Sequence, residues 1–164
     1  MQLIKNMTQL ELCALPVPSL TDSYTPVPHQ ELFDTIETAL DKAGLIVDKT
    51  TFMGARDGKQ LIGFYDLEPN DDGLVHRIGL KNSYDKTMSL GFVSGVGAWI
   101  CGNSCLFGDH TLSRIHTGKA DVVLFNYINE VIESLPIEMA AARLLKQELS
   151  NKQDGIIKLI SSDL

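Results

Sequence analysis

The 164-residue sequence has no long apolar run and few cysteines. Because no stretch of about 18 apolar residues occurs, a transmembrane helix is not expected. No apolar signal core follows the first six residues, so export is not expected either. Three cysteines are a sparse and odd number, which fits a reducing compartment. The sequence therefore predicts a cytoplasmic protein.

The chain also lacks an excess of positive charge, since its net charge is −7. Long-range repulsion argues against sequence-independent coating of DNA or anionic lipid. Residues 74–120 differ from the rest: they carry five basic and two acidic residues, a net of +3, and three of the four histidines. Residues 1–73 carry a net −7 and residues 121–164 a net −3. We name residues 74–120 the basic island and expect any anionic partner there.

No established metal or nucleophile motif occurs. A Cys-x3-Cys-x4-His-x5-His spacing is present, but structural zinc sites usually separate the two pairs by more residues. Its members are Cys101, Cys105, His110 and His116. We predict no metal and no cofactor, and expect the cysteines to be small buried apolar side chains. A Cys-His nucleophile pair requires a spatial closeness that sequence does not reveal, so no catalytic residue is assigned.

Proline and apolar spacing divide the first third of the chain. Residues 1–27 are predicted to be an extended proline-rich arm, because alternate prolines remove backbone donors and fix extended geometry. A helix is predicted over about 29–43, with Pro28 as a permissible first-turn residue and Gly44 as its stop. Its buried stripe should be formed by Leu32, Phe33, Ile36, Leu40 and Ala43.

Strand patterns follow, over residues 45–55, 60–67, 74–80, 88–94 and 98–101. Asp57-Gly58 predicts a hairpin between the first two strands. In the third, alternation places His76 and Ile78 on one face and Arg77 on the other. Short strands joined by tight turns favour an antiparallel sheet of four or five strands.

The last third is predicted to be helical. One stripe runs from Leu124 to Leu135 and should end at Pro136. A second stripe contains Ile137, Ala141, Leu144 and Leu145, and a third contains Ile156, Ile157, Ile160 and Leu164. The predicted class is α+β: an N-terminal helix, the sheet and a helical C-terminal part. Residues 28–164 are expected to form one domain, a truncated version of something longer.

Four short motifs occur in a fixed order. They are Ser-Tyr-Thr-Pro-Val-Pro-His at 23–29, Lys-Asn-Ser-Tyr-Asp-Lys-Thr at 81–87, Ile-Cys-Gly-Asn at 100–103 and Arg-Ile-His-Thr at 114–117. In this order, over about residues 23–135, the chain resembles the phage/plasmid-like protein family (domain of unknown function 932). The resemblance implies a phage, prophage or plasmid setting in a bacterial host cell, and no particular reaction. Lys81, Tyr84 and Gly102 stand where that family has Arg, His and Asp.

The leading hypothesis is a non-enzymatic mobile-element protein that contacts single-stranded DNA or RNA through the basic island, in recombination or replication. The predicted contact residues are Arg77, Lys81, Asn82, Lys86, Arg114, His116 and Lys119. A phosphate and a base edge can be held by such cations and an amide, whereas the alternative for residues 82–86 is a plain turn. Trp99, Phe92 and Phe107 are candidates to stack on bases, although burial habits favour core positions.

An alternative hypothesis is a protein-binding modulator of a host machine, such as a defence complex or polymerase. Its support is the acidic segment 1–73, which can imitate nucleic acid toward a basic site. Exposed sheet edges and the extended arm also predict a homo-oligomer.

Asn103 and His116 lie where strands give way to helices. We predict that they fix irregular backbone by hydrogen bonding rather than act on a ligand. Thr117 is predicted to cap the helix that follows.

Overall fold

The structure is a computed structural model that describes residues 4–68, 74–101 and 105–162, with the backbone alone from residue 155 onward. In chain order the elements are β1 (Lys5–Asn6), α1 (Gln9–Cys13), α2 (His29–Lys42), β2 (Val47–Ala55), β3 (Gln60–Leu67), β4 (His76–Ser83), β5 (Leu90–Val96), β6 (Trp99–Ile100), β7 (Leu106–Phe107), β8 (His110–Arg114) and α3 (Ala120–Ser162). The chain divides into two compact units, Met1–Glu133 and Ser134–Leu164.

Six strands form one antiparallel sheet in the order β1-β2-β3-β4-β5-β8, and β6 and β7 form a separate hairpin. The α+β class is therefore confirmed. The sheet has six strands rather than four or five. The two extra strands, β1 and β8, are short or exposed and lack a strong alternating pattern. Within the described residues, no helix has the length and apolarity needed to cross a membrane.

Local sequence explains the elements next to the site. Helix α2 follows Pro28, whose missing N–H costs nothing at a helix start, and Gly44 follows it with φ 66°. The β2–β3 turn contains Asp57 and Gly58, both with positive φ, as the Asp-Gly hairpin signal predicts. The arm is not wholly extended as predicted, because it contains β1 and α1, the latter capped by Thr8.

The two faces of the sheet have different covers. On one face Phe52 meets Phe33 of α2 edge-on, with ring centroids 4.9 Å apart, and Phe92 meets Tyr127 of α3 at 6.1 Å. The predicted alternation on β4 is confirmed, since His76, Ile78 and Leu80 are buried on this face. The fully buried residues of the predicted α2 stripe are Leu32, Phe33 and Ile36, with Leu40 nearly so.

The opposite face is covered by the β6–β7 hairpin. Phe64 and Val93 of the sheet pack with Ala98 and Ile100. Gly79 makes this close approach possible, because a Cβ atom there would lie 2.7 Å from Val93 Cγ1 and 3.1 Å from Phe64 Cε1. The hairpin is thus attached to the sheet through packed apolar side chains.

Two predictions about the C-terminal helices are wrong. Pro136 does not end a helix, since it lies inside α3. Proline removes one backbone donor, and the strong helix formers that follow, Ala140 to Glu148, offset that loss. The second stripe is not buried, because Ile137 is 77% exposed and Leu144 63%. The side chains of the third stripe lie outside the described residues.

We expect Gly79→Ala to lower the free energy of unfolding by about 1–3 kcal/mol, because the added methyl overpacks the hairpin contact. Asn126→Ala, at an exposed position of α3, is the control and should be neutral. Urea denaturation of both variants measures the difference. A Gly79→Ala variant as stable as wild type would contradict the packing described for this face.

Candidate functional site

A buried amide lies at the end of β4. Asn82 is fully buried, and its Nδ2 donates to the Val27 carbonyl at 2.7 Å and to His29 Nδ1 at 3.0 Å. Its Oδ1 accepts from the Ser83 N–H at 2.9 Å and from His116 Nε2 at 2.7 Å. All four hydrogen-bonding positions of the amide are therefore used. We name these five residues the Asn82 network.

The network fixes both histidine tautomers. His29 Nε2 lies 3.2 Å from the Gly58 carbonyl, which only accepts, so Nε2 carries the proton and Nδ1 accepts from Asn82. His116 Nε2 carries a proton as well, because Asn82 Oδ1 accepts it. Burial lowers the pKa of His29 to about 4 and also lowers that of His116. Both rings are thus neutral near pH 7.

Two tyrosines extend the network to the arm. The Tyr24 hydroxyl donates to the Ser83 carbonyl at 3.0 Å, and the Tyr84 hydroxyl accepts a hydrogen bond from the backbone N–H of His29 at 2.8 Å. The rings of His29 and Tyr84 stack with centroids 4.0 Å apart. Burial raises the pKa of both tyrosines, which therefore remain protonated. Three of the four motifs, at 23–29, 81–87 and 114–117, meet here.

His116 is hydrogen-bonded as predicted, through Nε2 to Asn82, and its backbone carbonyl also accepts from the Thr25 N–H at 2.7 Å. Asn103 lies outside the described residues. Thr117 does not cap α3, which begins at Ala120. Instead the Thr117 N–H donates to the Ile115 carbonyl at 2.8 Å, in a turn before the helix.

A pocket of about 400 Å³ adjoins the network. Its lining residues are Ser23, Tyr24, Lys86, Thr87, Met88, Ser89, Ile115, His116 and Thr117. Lys86 has φ 64° and places its Nζ 4.8 Å from the centroid of the Tyr24 ring. The neighbouring Asp85 is engaged elsewhere, with Arg56 at 3.1 Å and with the Thr87 hydroxyl. We name this the Lys86 pocket.

An aromatic patch lies on the β6–β7 hairpin. Trp99 and Phe107 are cross-strand neighbours and are 50% and 58% exposed. The Trp99 ring stacks on Phe64 with centroids 5.2 Å apart, and the Arg77 guanidinium lies 5.9 Å from the Trp99 centroid. We name Trp99, Phe107 and Arg77 the hairpin patch. The expectation of core positions is confirmed for Phe92, which is fully buried, and wrong for Trp99 and Phe107.

The seven predicted contact residues do not form one surface. Asn82 and His116 belong to the buried network, Lys86 to the pocket, and Arg77 to the hairpin patch, where Asp66 pairs with it through bonds of 2.5 and 3.1 Å. Arg114 and Lys119 are exposed, on β8 and before α3.

Lys81 is not the surface charge that was predicted. It is 4% exposed, and burial lowers its pKa. Its stem fits against the sheet because Gly91 has no side chain: a Cβ there would lie 2.6 Å from Lys81 Cε. A variant that removes Lys81 together with Lys86 would therefore mix a core change with a surface change.

The cysteines and histidines of the zinc-like spacing have separate surroundings. Cys101 and Cys105 face each other across the hairpin, where the Cys101 N–H donates to the Cys105 carbonyl at 3.0 Å. Cys105 is exposed, so its predicted burial is wrong. His116 Nε2 is bonded to Asn82. Over residues 4–68, 74–101 and 105–162, no group of three or more potential ligands forms a metal site.

Sequence reasoning did not place Tyr24 and His29 in a site. Their only signal was the motif at 23–29, because hydrogen bonds to residues 53 or more positions away leave no local pattern. The fold and site define an α+β protein whose arm is bonded to the end of its central strand. No protein-family model, curated protein or solved structure matches the chain. Membership of the phage/plasmid-like family therefore stays a prediction based on the four motifs.

We expect Asn82→Ala to destabilise the protein by about 3 kcal/mol or more, because it leaves several buried groups without partners at about 1–3 kcal/mol each. His116→Ala removes one hydrogen-bond partner of the Asn82 amide and should lower the free energy of unfolding by about 1–3 kcal/mol. Asn126→Ala, on the exposed side of α3, is the control and should be neutral. Melting temperatures of the three variants test this. A neutral Asn82→Ala would show that the network does not stabilise the fold.

Stability should depend on pH through His29. Its pKa is about 4 in the folded state and about 6.5 when unfolded, so between these values the unfolded chain binds the extra proton. The contribution of His29 to the free energy of unfolding is complete above about pH 6.5. It decreases as the pH falls from there and is lost below about pH 4, in total about 3 kcal/mol.

Denaturation between pH 7 and 4 measures this dependence. The free energy of unfolding of His29→Gln should change less steeply with pH than that of wild type. His110→Gln should keep the wild-type pH dependence because His29 is intact. Equal slopes for wild type and His29→Gln would contradict the assignment.

Proposed function

We propose that the chain is a non-enzymatic protein of a phage, prophage or plasmid that contacts single-stranded DNA or RNA, in recombination or replication. The exposed Trp99–Phe107 pair is the observation that carries the nucleic-acid contact. The mobile-element setting is supported by the four motifs.

Exposed aromatic rings are suited to unpaired bases. One face of Trp99 is covered by Phe64, so a base can stack on the opposite face, and such stacking contributes about 1–3 kcal/mol per base. The Arg77 guanidinium lies over the Trp99 ring, 5.9 Å from its centroid, and is oriented by Asp66. A planar guanidinium next to an aromatic ring favours stacking and phosphate contact alike.

The charge distribution favours single strands over duplex. A body with net charge −7 is repelled by the dense phosphate charge of a duplex, and duplex bases do not offer their faces to an aromatic hairpin. Arg114, Lys119 and Lys86 are exposed cations of the basic island that can contact phosphates locally.

The alternative, a modulator of a host machine, is favoured by a different surface. Helix α2 exposes four acids, Glu31, Asp34, Glu37 and Asp41. Their negative charge along one helix suits a basic site on a partner protein. Capture of one stoichiometric, nuclease-resistant host protein that is lost in an E31K/D34K variant would favour this function.

Fluorescence anisotropy with labelled, hydroxyl-ended single-stranded DNA and RNA tests the leading proposal. We expect binding at low salt that weakens at moderate salt, because phosphate contacts release counterions. Trp99→Ala and Phe107→Ala should each lower the affinity about 5- to 100-fold, the equivalent of one lost stacking contact.

Ile137→Ala removes an even more exposed apolar side chain, 77% exposed and outside the patch, and should bind like wild type. Absence of binding at low salt, or unchanged affinity in both aromatic variants, would overturn the proposal.

A further inference from the structure

The Lys86 pocket is not needed for stacking on the hairpin patch. We infer that it binds the phosphate monoester of a nucleoside, either a free mononucleotide or the phosphorylated end of a strand. Binding of a free mononucleotide does not depend on the proposed function, whereas binding of a strand end rests on it.

The lining favours an anion. Among the described residues that line it, Lys86 alone has a positively charged side chain and none has a carboxylate. The hydroxyl groups of Ser23 and Thr117 add donors for phosphate oxygens. The hydroxyls of Thr87 and Ser89 also line the pocket, but they are bonded to Asp85 and Ser113. The adjacent acid does not neutralise the lysine, because Asp85 pairs with Arg56. An acid-free cationic pocket on an acidic chain therefore fits an anionic ligand.

The backbone at Lys86 supports a binding role. Its φ of 64° lies in the left-handed region, which a glycine adopts without strain and a lysine does not. The turn is held by Asp85 Oδ1, which accepts from the Thr87 N–H at 3.1 Å. Strained residues of this kind concentrate at ligand sites, where the surrounding structure maintains them.

The size and the remaining lining indicate a nucleoside rather than phosphate alone. A volume of about 400 Å³ lies at the lower end of the range for small-molecule sites, about 300–1,000 Å³. Met88 and Ile115 provide apolar surface for a base or sugar. His116 Nε2 donates a hydrogen bond to Asn82 Oδ1. The neutral ring therefore keeps Nδ1 as an acceptor, which suits a sugar hydroxyl.

Calorimetric titration of the wild-type protein with dAMP, deoxyadenosine and inorganic phosphate tests the inference. We expect dAMP to bind at least about tenfold more tightly than either fragment, the effect of roughly one charge-assisted contact. Competition by 5′-phosphorylated, 3′-phosphorylated and hydroxyl-ended oligonucleotides then separates the sources. Displacement of dAMP by one phosphorylated end identifies the strand end as a ligand, and displacement by neither identifies the free mononucleotide.

Lys86→Gly provides the sharpest variant. It should lower dAMP affinity at least about tenfold while the melting temperature stays equal or rises, because glycine relieves the left-handed strain. Lys49→Ala, on β2, is the matched control for loss of one exposed lysine and should bind like wild type.

Failure of this inference and failure of the proposed function are distinguishable. Trp99→Ala should leave dAMP binding intact, whereas it should weaken binding of hydroxyl-ended strands. No dAMP binding by wild type, or wild-type affinity in Lys86→Gly, would overturn the inference whatever the hairpin patch binds.

Discussion

The amide of Asn82 is the contact on which the arrangement of this site depends. Its four hydrogen bonds connect the arm, the end of β4 and the segment before α3. A buried polar group stabilises a fold when all its positions are satisfied and destabilises it when one is not. Because the amide has both donors and acceptors, it requires His29 to accept and His116 to donate. No charged or apolar side chain of that size meets both requirements.

The shape of the Lys86 pocket depends on this network. Tyr24 and His116 form part of the pocket wall, and each is held by bonds to residues 82–83. The hairpin patch has a separate basis, since Trp99 is supported by Phe64 and by the close approach at Gly79. The two surfaces proposed for binding thus depend on different contacts, the pocket on polar contacts and the hairpin patch on apolar packing.

Sequence patterns predicted the elements whose signals are local. Helix α2, the Asp57-Gly58 hairpin and the alternation on β4 follow from short-range periodicity and turn chemistry. The surroundings of Lys81 and Trp99 do not follow from local patterns. The burial of Lys81 depends on a glycine, Gly91, ten residues away, and the exposure of Trp99 depends on which face of its hairpin is turned to solvent. Pro136 misled for another reason, since one missing donor is outweighed by the helix formers that follow it.

The arm contacts partners that are distant along the chain. Hydrogen bonds from Thr25 and Val27 in the arm, and from His29 just after it, reach residues 91, 55 and 53 positions later. Contacts at such separations require long loops to close first, so they form late in folding. During synthesis the arm emerges early but has nothing to bind until the strand and loop that hold it have been made. We therefore expect the arm, although it is made before these partners, to take its place after them, and the pocket wall to be complete only then.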